Sequence, residues 1–226
     1  MTAPFRALRS LDEVQHLRQL EGLDAGPLFA ALAAEVAESA PATLGDLGQE
    51  LDALRDVLPT IDAFAQKAMG IRLTHVLASA PLPPQLRTLL KSTVLSYQHD
   101  LPLLRSRVAA ALGRVDAATG AAVTADVLDA ADRVLALRTD LRARLFVVTQ
   151  DVAAARLPAA TQAARSRALA QPDRQRWAQA AIDLEQLSHT PALLAHGTFT
   201  ERLGLIAPPP DDPEPEPTRG SLLDLD

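Results

Sequence analysis

Leu44-Gly45-Asp46-Leu47-Gly48-Gln49-Glu50-Leu51-Asp52-Ala53-Leu54-Arg55-Asp56-Val57-Leu58-Pro59-Thr60-Ile61-Asp62-Ala63-Phe64-Ala65 is the stretch that decides the fold. Its apolar positions at Leu47, Leu51, Leu54, Leu58, Ile61 and Ala65 follow one another in steps of three and four. That spacing places them on one stripe of a helix packed lengthwise against others. Pro59 interrupts the stripe, removes one backbone hydrogen bond and clashes with the preceding turn, so a kink or short break is expected there, with Thr60 as the cap of a restarted helix. The segment closes at Ser79-Ala80-Pro81-Leu82-Pro83-Pro84, a rigid turn.

Working outward, a second long segment runs from Pro84 with Leu86, Leu89, Leu90, Val94, Tyr97, Leu101, Leu104, Val108 and Leu112, closing at Thr119-Gly120 and carrying Pro102 near its middle. A third starts at the candidate cap Thr124 and carries Val127, Ala131, Val134, Leu141, Leu145, Val148 and Val152 on one stripe, free of proline until Pro158. Beyond Pro158 the pattern thins into alanines and arginines up to Gln171-Pro172-Asp173, and the spacing leaves open whether residues 158–170 continue the third helix or form a new one. Asp173 then caps a helix with Trp177, Ile182, Leu184 and Leu187 on its apolar face.

Toward the N-terminus, Ser10-Leu11-Asp12-Glu13 reads as a capping box before Val14, Leu17 and Leu20. Asp24 caps a following helix through Leu28, Leu32 and Val36 that must stop before Pro41, giving a short hairpin over residues 10–40. Thr198-Phe199-Thr200-Glu201 signals a last short helix within 191–206. The expected architecture is therefore all-α: an elongated antiparallel helical bundle of three or four long, partly proline-kinked helices over 44–189, with the hairpin and terminal helix completing a body over 1–206. Helices near 35 residues would each be about 50 Å long. Pro59 and Pro102 both fall near mid-length, which in an antiparallel pair predicts one common bend.

Composition agrees with that class. The hydrophobic fraction is 48%, carried by Leu and Ala, with five Phe, one Tyr and one Trp. There is no cysteine, which excludes disulfides, thiolate metal sites and thiol nucleophiles and fits a reducing compartment. Twenty of the 22 basic residues are Arg, a bias expected of a GC-rich, bacterial coding sequence. The N-terminus lacks the apolar core of a signal peptide, and the longest apolar run, Leu28 to Ala34, falls far short of the roughly 20 residues of a membrane span, so the expected location is cytoplasmic.

Charge separates the body from the end of the chain. Residues 207–226 hold six acids against the single base Arg219, a net charge of −5 within a total of −6. After Ile206 the run Ala207-Pro208-Pro209-Pro210-Asp211-Asp212-Pro213-Glu214-Pro215-Glu216-Pro217 offers no large apolar side chain, so it reads as a disordered, polyproline-like spacer. It ends in Leu222, Leu223, Asp224, Leu225 and Asp226, leucines and acids of the kind that fill small pockets beside a basic rim. These five residues resemble the clathrin-box motif of endocytic adaptors: leucine, aliphatic, any residue, aliphatic, acid. Gly220-Ser221-Leu222 also resembles the loading peptides of encapsulin cargo, which follow proline-rich spacers. Either resemblance implies a peptide gripped by a protein partner.

A second candidate surface is basic. Arg138, Arg142, Arg144, Arg156, Arg165, Arg167, Arg174 and Arg176 give residues 138–176 a net charge of +5. Arg138, Arg142, Arg156, Arg165, Arg167, Arg174 and Arg176 are thus candidate ligands for anions or lipid headgroups. The competing use is internal, since residues 35–62 carry a net charge of −6, including Glu50 and Asp62. Scarce aromatics argue against stacking on nucleic-acid bases. Glu13-x-x-His16 has di-iron spacing but no second copy, and Glu185, His189, His75, His99 and His196 read as surface or helix-end residues. No phosphate loop, nucleophile elbow or zinc-protease spacing is present, so neither a cofactor nor catalysis is expected. The leading expectation is a non-enzymatic adaptor or scaffold with a docking tail, able to dimerise through its helical seams. The alternatives are a curved bundle on an anionic membrane, and an enzyme or metal carrier delivered by its tail.

Overall fold

The computed structural model describes residues 26–38, 43–97 and 100–190. Among them there are helices and turns and no strand. In chain order the helices are α1 (Gly26–Glu38), α2 (Leu44–Arg55), α3 (Val57–Ser79), α4 (Pro84–Leu95), α5 (Leu101–Ala111), α6 (Ala117–Arg165) and α7 (Gln171–His189). The Ser10 capping box, the 191–206 helix and the 207–226 tail lie outside the described residues.

The organising element is α6, 49 residues and so about 74 Å long at 1.5 Å per residue. Asp116 starts it by accepting from the Thr119 amide at 3.0 Å, which occupies one of the free donors of the first turn. The expected start at Thr124 is therefore displaced by a full two turns. Thr124 lies within the helix, where its hydroxyl donates back to the Gly120 carbonyl at 2.8 Å. Thr119-Gly120, read as the close of the preceding segment, belongs to the first turn of α6. The helix also runs on through Pro158 to Arg165, so residues 158–165 continue it and the chain turns at 166–170.

The segment over 44–79 carries the short break expected near Pro59, which divides it into α2 and α3. Thr43 and Asp46 form a reciprocal capping box, with contacts of 2.9 and 3.1 Å. The break falls at Asp56, three residues before Pro59, because proline is tolerated in a first helical turn, where its missing amide would have no partner. Thr60 consequently sits inside α3. Likewise Pro102 occupies the first turn of α5, which Asp100 caps through the Leu103 amide at 3.2 Å, and the 84–112 segment becomes two short helices. Of the three or four long helices expected, α6 is one and the broken α2–α3 run over 44–79 a second, while the 84–112 segment and α7 are short. At α7 the chain enters the helix at Gln171, with Asp173 inside the first turn instead of capping it.

Two hydrophobic clusters share α6 and α3. The first joins Phe29 and Leu32 of α1, Leu51 and Leu54 of α2, Ile61 and Phe64 of α3, Leu141 through Ala160 of α6, and Trp177, Leu184 and Leu187 of α7. The second joins Ala65 through Leu77 of α3, Leu90 and Val94 of α4, Leu104 and Val108 of α5, and Val123 through Val134 of α6. The breaks at Asp56 and near Pro102 belong to different clusters, so the single shared bend expected from the two prolines does not form. All seven apolar residues named for the third stripe are buried. Leu89 and Ile182 are not, at 50% and 48% exposed. Leu89 stands about 100° around α4 from Leu90, and Ile182 about half a turn from Ala180 and Leu184, so neither shares the buried face.

Candidate docking surfaces

The basic residues divide into two groups by what they face. Arg138 Nε donates to Asp62 Oδ1 at 2.9 Å, Arg142 Nε donates to the same oxygen at 3.0 Å, and Arg142 Nη2 also reaches Asp62 Oδ2. The guanidinium-bearing side chains are 18% and 16% exposed and the carboxylate 39%. In α6 this places Arg138 on the stripe between Val134, which belongs to the second cluster, and Leu141, which belongs to the first. The charged group is therefore a polar waist between two apolar cores.

Arg156 closes the far side of the first core. Its Nε donates to Glu50 Oε2 at 3.0 Å, and its Nη2 donates to Glu50 Oε1 at 2.7 Å and to the Val36 carbonyl at 2.6 Å. One guanidinium thereby ties α6 to both α2 and α1, with side-chain exposures of only 13% for Arg156 and 8% for Glu50. The fork geometry suits a carboxylate, and the extra donor satisfies a carbonyl near the end of α1, where intrahelical partners run out. The pairings Glu50–Arg156 and Asp62–Arg138 run in opposite directions along the chain, so α2 and α3 lie antiparallel to α6.

The other four arginines lie beyond Arg156, at the end of α6, in the turn that follows and in the first turns of α7. Arg165, Arg167 and Arg176 are exposed and Arg174 is half-buried, grouped around the turn between α6 and α7, where Asp173 is the one acid among residues 165–176. Arg174 Nε is buried without a hydrogen-bond partner among the described residues. Beside the turn an open groove of about 550 Å³ is lined by Leu157, Pro158, Thr161, Gln162, Arg165 and Ser166. Pro158, Gln162 and Arg165 are more than a quarter turn around α6 from the buried Ala160, so the groove lies on the helix's outer side.

Leu157, Pro158, Thr161, Gln162 and Ser166 carry no motif that marks them in the sequence. The available signal was their i, i+3 and i, i+4 spacing on a face otherwise poor in large apolar residues. The tail residues Leu222, Leu223, Asp224, Leu225 and Asp226 lie outside the described residues, as do Glu13, His16, His99 and His196. Among the described residues no cluster of three or more His, Asp or Glu could hold a metal ion. No described helix is long and apolar enough to cross a membrane. The Thr119 hydroxyl and then the Thr119 amide hold the Asp116 carboxyl below its ordinary range. That is a helix cap and not a reactive group.

Comparison of the chain with protein-family models, with curated proteins and with solved structures finds no match.

Proposed function

We propose that this protein is a non-enzymatic adaptor or scaffold: an elongated antiparallel helical bundle that presents the terminal peptide Leu222, Leu223, Asp224, Leu225 and Asp226 to a protein partner. The observation that carries the reading is the contrast in how leucines are placed. Leu51, Leu54, Leu73, Leu104, Leu141, Leu145 and Leu184 are fully buried in the body, whereas Leu222, Leu223 and Leu225 follow an acidic, proline-rich stretch that holds no large apolar residue. Leucines in such a setting suit a partner's pockets, with Asp224 and Asp226 meeting a basic rim.

The test is capture and its loss. The peptide 207–226 as bait should retain a partner that, once identified and purified, binds the full chain. Deleting 207–226, or changing Leu222→Ala with Leu223→Ala, should abolish that binding while leaving the melting temperature nearly unchanged. A purified partner that binds the truncated chain equally well would end the proposal.

One observation favours a second reading. The exposed Arg165, Arg167 and Arg176 beside Arg174 form a basic end that suits anionic headgroups. Co-sedimentation with anionic vesicles that falls with salt and with Arg165→Glu plus Arg167→Glu would support it. Equal binding to neutral vesicles would exclude it.

A further inference from the structure

We propose that residues 211–226 of the same chain dock on the groove at the end of α6, so that the partner peptide is masked in cis until something displaces it. This rests on the reading of the tail as a docking peptide and adds where that peptide sits when no partner holds it.

Three observations converge on this occupant. The groove joins an apolar floor, Leu157 and Pro158, to hydrogen-bonding edges at Thr161, Gln162 and Ser166, with Arg165 as its cationic wall and the exposed Arg167 one residue beyond Ser166 in the turn. Residues 207–226 are complementary in both respects, with a net charge of −5 and three leucines in the last five positions. The charge around the turn points the same way, since Arg165, Arg167, Arg174 and Arg176 face only Asp173 among residues 165–176.

Reach is not limiting. Gln150 Nε2 donates to the Thr190 carbonyl at 2.7 Å, which places the end of the described chain beside the C-terminal half of α6. From Gln150 to Gln162 is about 18 Å along the helix, while the 21 residues from Thr190 to Asp211 span up to roughly 65 Å when extended. Tethering sets the peptide's local concentration in the millimolar range, so a contact of only millimolar intrinsic strength is about half occupied. Masking is therefore weak enough for a genuine partner to win. It also screens the basic end from other polyanions.

The absence of native cysteine gives a direct test in the full chain. Gln162→Cys with Ser221→Cys reports the groove, and Ser166→Cys with Ser221→Cys reports it independently. Ser106→Cys with Ser221→Cys is the control, because Ser106 is exposed on α5, against the other core, and within the tail's reach. Disulfide formation is followed on non-reducing gels, each rate divided by that thiol's rate with the neutral reagent 2,2′-dithiodipyridine, which removes the effect of neighbouring arginines on thiol reactivity. The expected result is intramolecular disulfide formation about tenfold faster at either groove position than at 106, the excess vanishing in about 1 M salt and with Arg165→Glu plus Arg167→Glu. Equal normalised rates at the three positions would overturn the proposal. Disulfides only between molecules would overturn it too, by assigning the groove to a second copy's tail. Because no partner enters this experiment, its failure leaves the capture test untouched, and failure of the capture test leaves this result standing.

Discussion

The two apolar cores share α3 and α6 yet are built and closed differently. The first is made of large side chains, among them Phe29, Phe64, Phe146 and Trp177, and is edged by guanidinium–carboxylate contacts across 76 to 106 residues of sequence. The second is lined by Ala65, Ala68, Ala130 and Ala131 and packed by the short helices α4 and α5. Cross-links there include Lys91 Nζ to Thr74 Oγ1 at 2.8 Å and Arg87 Nη2 to the Ala80 carbonyl at 3.0 Å, both to neutral oxygens. Small residues let helices approach closely, whereas a wide core needs its edges held. The difference teaches that charge is concentrated where α1, α2 and the start of α3 are anchored to α6.

The largest effect should come from Leu145→Ala, which removes a fully buried side chain from the wide core and costs about 3 to 4 kcal/mol in urea denaturation. Amide exchange sharpens the comparison: protection should drop in α1, α2 and α7 while α4 and α5 keep theirs. Uniform loss would show that the two cores open as one unit. Next in size is Glu50→Ala, expected to cost about 3 kcal/mol by leaving the mostly buried Arg156 without its carboxylate. Asp62→Ala should cost less, about 1 to 2 kcal/mol, because that carboxylate is better hydrated. If the two are equal in chemical denaturation, exposure does not set the worth of these pairs.

The smallest effect tests the start of the shared helix. Asp116 titrates below its ordinary value in the folded chain, so its stabilisation is present above the unfolded value and lost as pH falls through the folded one. Urea midpoints taken down through the acid range should show a slightly larger decline for the parent than for Asp116→Asn. Parallel declines would remove the cap from the account of α6.

Much of this was legible in the chain itself, and the failures have local causes. The stripes Leu47 to Ala65 and Val127 to Val152 were readable because burial on one helical face imposes its period on the residues. Helix ends were less so. Asp116 competes with Thr124 as a cap, and Gly120, ordinarily a terminator, is accommodated within a first turn once Asp116 has fixed the start. Prolines 59, 102 and 158 each mark irregularity, but only tertiary packing decides whether the chain breaks before them or continues past. Of the basic stripe, the excess of charge was visible, while the pairing of Arg138, Arg142 and Arg156 with particular carboxylates depends on how helices are juxtaposed. The groove was least visible, since its lining is ordinary residues made notable by the turn that follows.

One consequence of Asp62 between Arg138 and Arg142 concerns alignment. Leucine rows that repeat every three or four residues are nearly self-similar, so α3 sliding along α6 by a turn would still meet apolar side chains. Such a slip would instead bring Leu58 or Gln66 against two guanidiniums and strand the carboxylate elsewhere. A single acid thus serves as an index mark, fixing which of several equivalent seatings of two greasy rods is the native one.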